Sequence, residues 1–457
     1  MTTIEHFEYV FLGGGKGGKT LAMELAQAGR KVAVIERGMI GGSCINVACI
    51  PTKTLIQTAR TEYILHRQDG RAADMAKVSQ RVKAVVDGMV EINRNALHDS
   101  GLELVLGTGR FVGPRRLEVK TNDGGLRMIE GEHAFINTGT TAAIPDVPGL
   151  KAAEPLTHVE ALVLTTLPES LIVLGGGYIG LEMAQAFRRL GSKVTLIQDA
   201  PRVAMREDED VTEAIEAALK EEGIDIRTGA RPASVTGKSG ESVTVVLHNG
   251  STVSGSHLLV AAGRTPGTSG IGLDAAGVEV DARGFIKTDE RLATTAERTW
   301  AIGEVAGTPM FTHASFDDYR VLRSQLAGGD AKTTRDRIIP YALFIEPELG
   351  RIGLSEADAK ARGIAVRVVK LPMAAVPRAR TNGATKGFMK MLIDADSDAI
   401  LGFAMLGTNA GEVVTAVQMA MLGGLPYTAV RDAIIAHPLI SEGLNILLAK
   451  VPQRAPQ

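Results

Sequence analysis

Apolar residues along this chain fall in two rhythms. Short unbroken runs alternate with longer stretches in which apolar positions recur at helical spacing. Residues 8–12 form such a run and predict a buried strand. Gly13, Gly15 and Gly18 follow, then an apolar-periodic helix over 19–28 that Gly29 stops, then a second strand over 31–35 closed by Glu36. This is a β-α-β unit with glycines at its first turn. Gly13 permits the turn, Gly15 lets a pyrophosphate approach the backbone, and Gly18 lets helix and strand pack closely. Glu36 stands where a carboxylate would bind a ribose diol. The pattern then recurs. A strand starts at 171, Gly175, Gly177 and Gly180 follow, a helix runs over 181–190 and a strand over 193–198. Two copies in one chain imply two dinucleotide sites, and a flavin with a nicotinamide is the economical pairing.

Between and beyond these units the rhythm changes. Helices are predicted at 54–66 and 82–97, and strands at 102–106 and 117–121 around a turn at Gly107-Thr108-Gly109. A buried strand over 134–140 ends in Thr138-Gly139, and Pro145, Pro148 and Gly149 suggest a linker. A strand over 258–262 is ended by Gly263-Arg264-Thr-Pro266. After residue 337, strand runs at 341–345, 366–371, 388–393 and 400–406 precede apolar helices at 411–422 and 428–435. That order predicts an α+β unit with one sheet face covered. The fold class is therefore α/β, with two Rossmann-like dinucleotide-binding domains and a C-terminal α+β domain.

Composition narrows the function classes. The formal net charge of −2 offers no electrostatic case for nucleic acid or an anionic membrane. No apolar run approaches the ~18 residues of a membrane span. The first residues lack a basic segment followed by an apolar one, so no secretory signal is expected. The chain has two cysteines, Cys44 and Cys49, in one short run. That usage suits a reducing, cytoplasmic setting. The fifteen methionines are read as core filler.

The cysteines carry the candidate chemistry. With four residues between them, they cannot staple distant parts of a fold, but they can form a small ring that opens and closes by thiol–disulfide exchange. The small residues Gly42 and Ser43 let a planar group approach the backbone. Pro51 can open a helix whose positive end favours a thiolate, and Lys53 adds a fixed charge. Zinc would need further ligands, and no second cysteine pair exists, so no metal site is predicted.

The run Gly41-Gly-Ser-Cys44-Ile-Asn-Val-Ala-Cys49-Ile-Pro-Thr-Lys53 resembles the active-site signature of the pyridine-nucleotide flavoprotein disulfide reductases. Ala48 departs from the usual glycine. The resemblance covers essentially the whole chain. It implies an FAD-binding domain over 1–150 and 271–336, an NAD(P)-binding domain over 151–270, and a dimerisation domain over 337–457 in a homodimer. It makes Cys44 the interchange thiol and Cys49 the inner thiolate facing the flavin. Lys53 and Glu182 match an ion pair beside the flavin. His437, oriented by Glu442, would reach the cysteines of the other subunit as an acid–base group. FAD contacts would come from Gly109, Thr138, Gly139, Thr312, His313, Ala314 and Glu304; the family usually has Asp at the last position. Gly263 and Arg264 match the turn back into the flavin domain. Tyr178, followed by Ile179, matches a gate over the nicotinamide pocket. Gly-Lys16-Gly-Gly-Lys19, Val376-Pro-Arg-Ala-Arg380 and Gly424-Leu-Pro-Tyr427 resemble the branch associated with resistance to reactive chlorine, and other segments resemble mercuric reductases.

That branch implies electron transfer from NADPH or NADH through FAD and the dithiol to a small molecule or a metal ion such as Cu(II). Dihydrolipoamide dehydrogenase is an alternative, and a redox-sensing flavoprotein acting through partner binding is another. For the nicotinamide, Gln198 replaces the acidic residue that would repel a 2′-phosphate, and Arg202 could grip one. Use of both cofactors with a lean to NADPH is expected.

Overall fold

A computed structural model describes residues 3–66, 73–328 and 332–453. The first β-α-β unit comprises the strand Ile4–Leu12, the helix Lys16–Gln27 and the strand Val32–Glu36. Its parallel sheet runs in the order Glu103–Gly113, Val32–Glu36, Ile4–Leu12, Leu126–Ile136, Thr299–Ala301. The last strand brings the chain back to the first sheet after a long excursion. That excursion holds the second unit, with the strand Ser170–Leu174, the helix Tyr178–Leu190 and the strand Lys193–Ile197. Its parallel sheet is completed by Asp225–Arg227 and His257–Val260, beside a separate three-stranded antiparallel sheet over 232–255. The C-terminal sheet has five antiparallel strands, Tyr341–Leu343, Leu349–Gly353, Ile400–Leu406, Phe388–Asp394 and Val366–Pro372 in spatial order. The helix Ala410–Leu422 packs on it through Val413, Val414 and Val417.

Sequence and structure differ at three places that matter. Gly107-Thr108-Gly109 is no turn, because one strand runs unbroken from Glu103 to Gly113. The strand changes partner there, from Val32–Glu36 to Arg116–Thr121. A side chain on Gly107 would meet the Lys120 carbonyl at 2.5 Å, so the small residues serve a close strand crossing. The helix expected over 428–435 spans only Tyr427–Arg431. Asn445 ends it by donating from Nδ2 to the carbonyls of Val430, Arg431 and Ala433 at 3.1, 2.8 and 3.1 Å. The strand Leu349–Gly353 was not expected, since two glycines interrupt its apolar pattern; Gly350 packs against the Ala410 carbonyl.

One hydrophobic core crosses the units. Leu55 and Ala59 of the helix Cys49–His66 pack with Leu181, Phe187 and Leu196 of the second unit, and with Leu343, Leu349 and Leu406 of the C-terminal sheet. A buried ion cluster adds a second tie. Lys390 Nζ donates to Asp208, Asp210 and Glu356 at 2.9, 2.7 and 2.8 Å. Burying that ammonium alone would be costly, and three carboxylates on facing elements satisfy it.

Candidate active site

The redox loop folds onto the first glycine turn. Asn46 closes it, donating from Nδ2 to the carbonyls of Ile40 and Gly42 at 3.0 and 2.9 Å. Gly42 lies against Gly15, where a side-chain carbon would come within 2.9 Å of the Gly15 Cα. Ser43 and Cys44 open the short helix Ser43–Asn46. Cys49 begins the helix Cys49–His66, two residues earlier than Pro51 had suggested. Cys49 thus sits at the positive end of that helix, and Pro51 falls in the first turn, where its missing N–H breaks no helical bond.

Both cysteines are free and half-buried. Cys44 hydrogen-bonds to Cys49, and Thr312 Oγ1 lies 3.3 Å from the Cys49 sulfur. The Cys44 bond, the Thr312 hydroxyl and the charge of Lys53 hold the Cys49 thiol down, to about 6, against the opposing effect of burial. The same bond, burial and the Cys49 charge push Cys44 up. One proton shared by the pair therefore resides on Cys44. Lys53 Nζ grips both oxygens of Glu182 at 2.9 and 2.8 Å, and the Phe344 N–H donates to Glu182 Oε1 at 3.0 Å.

Lys19, which the sequence offered only as part of a glycine-rich motif, is buried in the helix beneath this loop and donates to Asn93 Oδ1. Burial and the neighbouring Lys16 lower its ammonium to about 8, opposed by the Cys44 charge. Thr312 opens the helix Thr312–Leu326, and Ala314 is buried in its first turn. His313 bonds the Pro340 carbonyl at 2.6 Å and stacks on Phe311.

The glycine turns fit dinucleotides. Gly15 and Gly177 carry no side chain to cap the helices that follow them, which leaves the N–H groups of Lys16 and Gly17, and of Tyr178 and Ile179, for phosphate oxygens. Glu36 accepts from the N–H groups of Gly14, Gly38 and Met39 at 2.8, 2.9 and 2.9 Å. Asn137 was missed. It accepts from the Gly18 N–H at 3.1 Å and donates to the Ile302 carbonyl at 2.8 Å, filling the space beside Gly15 and Gly18. Gly13 turns with φ +101° against the Asn137 carbonyl. The Thr138 hydroxyl oxygen is buried with no hydrogen-bond partner among the described residues, and Gly139 beside it has φ +63°. Gly109 lies mid-strand against Leu12 and Ile35. Glu304 accepts from the Thr140 hydroxyl and pairs with Arg264 Nε at 3.2 Å. Gly263, at φ +144°, turns the chain into Arg264.

In the second unit Gly175 and Gly180 pack internally, and Gly177 faces open space. Gln198 Oε1 accepts from the Gly176 N–H at 2.6 Å. Ile179 packs on the core, and Arg202 points to Thr212 Oγ1 at 3.4 Å. The Tyr178 hydroxyl donates to Glu207. At the far end of the chain, His437 Nδ1 lies 3.0 Å from each oxygen of Glu442. His437 is 66% exposed, and Ile434 and Leu439 beside it are exposed apolar residues.

Residues 7–318 match the family described as pyridine nucleotide-disulphide oxidoreductase, and residues 339–447 match its dimerisation domain. The chain belongs to this family. Pyridine nucleotide-disulphide oxidoreductases bind FAD and NAD(P)H, and the neighbouring Cys44 and Cys49 fit the family's redox-active pair. Among its members, the probable pyridine nucleotide-disulfide oxidoreductase RclA of Escherichia coli is 38% identical over 97% of this chain and 99% of its own. A mercuric reductase of Bacillus cereus is 34% identical over 96% of this chain and 70% of its own. A solved Cu(II) complex of the HOCl-induced flavoprotein disulfide reductase RclA superposes with TM-score 0.91, covering 98% of this chain and all of that one at 38% identity. The protein is thus a flavoprotein disulfide oxidoreductase of the RclA and mercuric reductase type. No helix among the described residues is long and apolar enough to cross a membrane.

Proposed function

We propose that this enzyme passes electrons from NADPH or NADH to a metal ion such as Cu(II), or to an oxidative-stress substrate, through a Cys44–Cys49 disulfide. The observation that carries the reading is the unequal pair, Cys49 held as thiolate and Cys44 as thiol. FAD, when bound, supplies the conversion between a hydride from the nicotinamide and electrons for sulfur. The chain's residues do the rest. Two electrons and one proton open the disulfide, leaving the Cys49 thiolate and the Cys44 thiol. Lys53, Thr312 and the helix terminus stabilise the charge on Cys49. Glu182 fixes Lys53 in place. The outer sulfur, Cys44, meets the acceptor. When the disulfide re-forms, two electrons leave, one to each of two Cu(II) ions or both to a two-electron acceptor, and Cys44 gives up its proton.

That proton goes to His437 of the partner subunit in a homodimer, with Glu442 orienting the ring. The exposure of His437 and its apolar neighbours supports this reading. Residues 1–150 and 271–336 form the FAD-binding domain, 151–270 the NAD(P)-binding domain and 337–457 the dimerisation domain. Two free thiols in one exchange loop suit work in a reducing cytosol.

An acceptor panel tests the reading. Purified holoenzyme should reduce Cu(II) with NADPH, and Cys44→Ser should abolish this while flavin reduction by NADPH continues. Turnover of dihydrolipoamide with NAD, and no Cu(II) reduction above a Cys44→Ser control, would overturn it. His437→Ala should slow acceptor reduction by ~10²–10⁴-fold and leave flavin reduction intact.

A further inference from the structure

Tyr178 follows Gly177 and opens the helix of the second unit. Glu207 comes from the loop before the helix Glu209–Glu221, and Tyr341 and Arg351 from neighbouring strands of the C-terminal sheet. Chain order says nothing of a meeting between them. In the fold they converge on one carboxylate. The Tyr178 hydroxyl donates to Glu207 Oε1 at 2.6 Å, and the Tyr341 hydroxyl donates to the same oxygen at 2.7 Å. Arg351 donates to Oε2 at 3.0 Å. The Glu207 side chain is fully buried.

We propose that Glu207, with Tyr341 and Arg351, is a dock that holds Tyr178 at the nicotinamide site and lets it leave at the loss of one hydrogen bond. This rests on the reading of Tyr178 as the gate over that site and adds what sets its position. Glu207, Tyr341 and Arg351 are positioning residues.

Two features make the dock reversible. First, the four groups are not equally free. Tyr341 is clamped, its ring stacked on Phe311 at 5.3 Å, and Phe311 directly precedes Thr312. Tyr178 is half-buried, and beside it Gly177 faces open space. Second, Oε1 has two donors. With a single phenol, departure of Tyr178 would strip a buried carboxylate oxygen, which is costly. Here Tyr341 and Arg351 keep Glu207 satisfied after Tyr178 swings out. Burial and the Glu207 charge hold both phenols protonated, so both remain donors.

The two tyrosines should therefore act with opposite sign. In the FAD-loaded enzyme, NADP⁺ affinity is read from the change in flavin absorbance. Tyr178→Phe keeps the ring but removes its bond to the dock, so NADP⁺ should bind about three- to tenfold more tightly. Tyr341→Phe leaves Oε1 bare when the gate opens, so NADP⁺ should bind more weakly. In a Tyr178→Phe background the Tyr341→Phe effect should vanish. General damage to folding would weaken binding in both variants. Changes of the same sign, or none beyond twofold in either variant, would overturn the dock. Tyr178→Ala separates the two readings. If removing the ring alters neither NADP⁺ affinity nor the rate of flavin reduction, the gate fails and the dock with it. If alanine alters them and the two phenylalanine variants do not, the gate stands and the dock is wrong.

Discussion

The two glycine-loop units share a backbone pattern and use it differently. In the first unit the loop is knitted from inside. Glu36 spends both oxygens on three backbone N–H groups, and Asn137 occupies the room beside Gly15 and Gly18. A side-chain carbon on Gly15 would lie 2.6 Å from Asn137 Oδ1, so Asn137 already demands glycine there, before any ligand arrives. In the second unit Gln198 bonds Gly176 through one oxygen, and among the described residues no counterpart of Asn137 stands beside Gly177. Gly180 is the tight point, where a side-chain carbon would lie 1.9 Å from the Gly175 carbonyl. The first unit suits a group that stays and the second a group that comes and goes. The redox loop follows the same division, lying on the first unit through Gly42 and Gly15.

Four substitutions, with one control, break or sharpen this contrast. Gly180→Ala should have the largest effect. The carbonyl it would strike is backbone and cannot step aside, so overpacking should cost ~1–3 kcal/mol or more. Flavin reduction by NADPH should be lost while FAD stays bound, measured by stopped-flow absorbance. Gly177→Ala is its control and should leave the melting temperature unchanged, since its added carbon meets no atom within 4 Å among the described residues.

Asn137→Ala comes next. It leaves the Gly18 N–H and the Ile302 carbonyl without their partner, at ~1–3 kcal/mol for buried groups. FAD should dissociate faster on dilution, and nicotinamide binding should be little changed. Equal losses at both sites would show that the units are not independent.

Gln198→Glu should be milder. The carboxylate can still accept from the Gly176 N–H but adds the charge that a 2′-phosphate would meet. The ratio of kcat/KM for NADPH to that for NADH should fall about tenfold, mainly through NADPH. An unchanged ratio would mean that another residue sets the choice; Arg202 is turned to Thr212.

Lys53→Met should have the smallest effect. In the two-electron-reduced enzyme the Cys49 thiolate should appear with a midpoint near pH 6 and be lost below it, because its thiol is held beneath the usual range. The long-wavelength thiolate–flavin absorbance reads this. Removing the lysine charge removes one of the influences that lower it, so the midpoint should rise by about half to one pH unit. A fall would reverse the assigned role of Lys53.

The cysteine loop, the paired glycine turns and the Lys53–Glu182 and His437–Glu442 pairs were legible because each depends on a signal within a short run or on a recognised motif. The turn misplaced at Gly107–Gly109 shows where such reading fails. Glycines at a strand crossing and glycines at a turn look alike in one dimension. The shortened helix Tyr427–Arg431 fails for a related reason, since what ends it is Asn445, well downstream.

By itself, the sequence determined two dinucleotide units, a redox pair between them and a different C-terminal sheet. Glycine spacing, apolar runs and the distance between two sulfurs are local constraints on the backbone. Only the tertiary structure decided which side chains serve them. Asn137 on the first glycine loop, Thr312 on Cys49 and Glu207 under Tyr178 and Tyr341 come from distant parts of the chain. Burial brings such groups together because each needs a hydrogen-bond partner once water is gone, and chain order carries no record of which partner it finds.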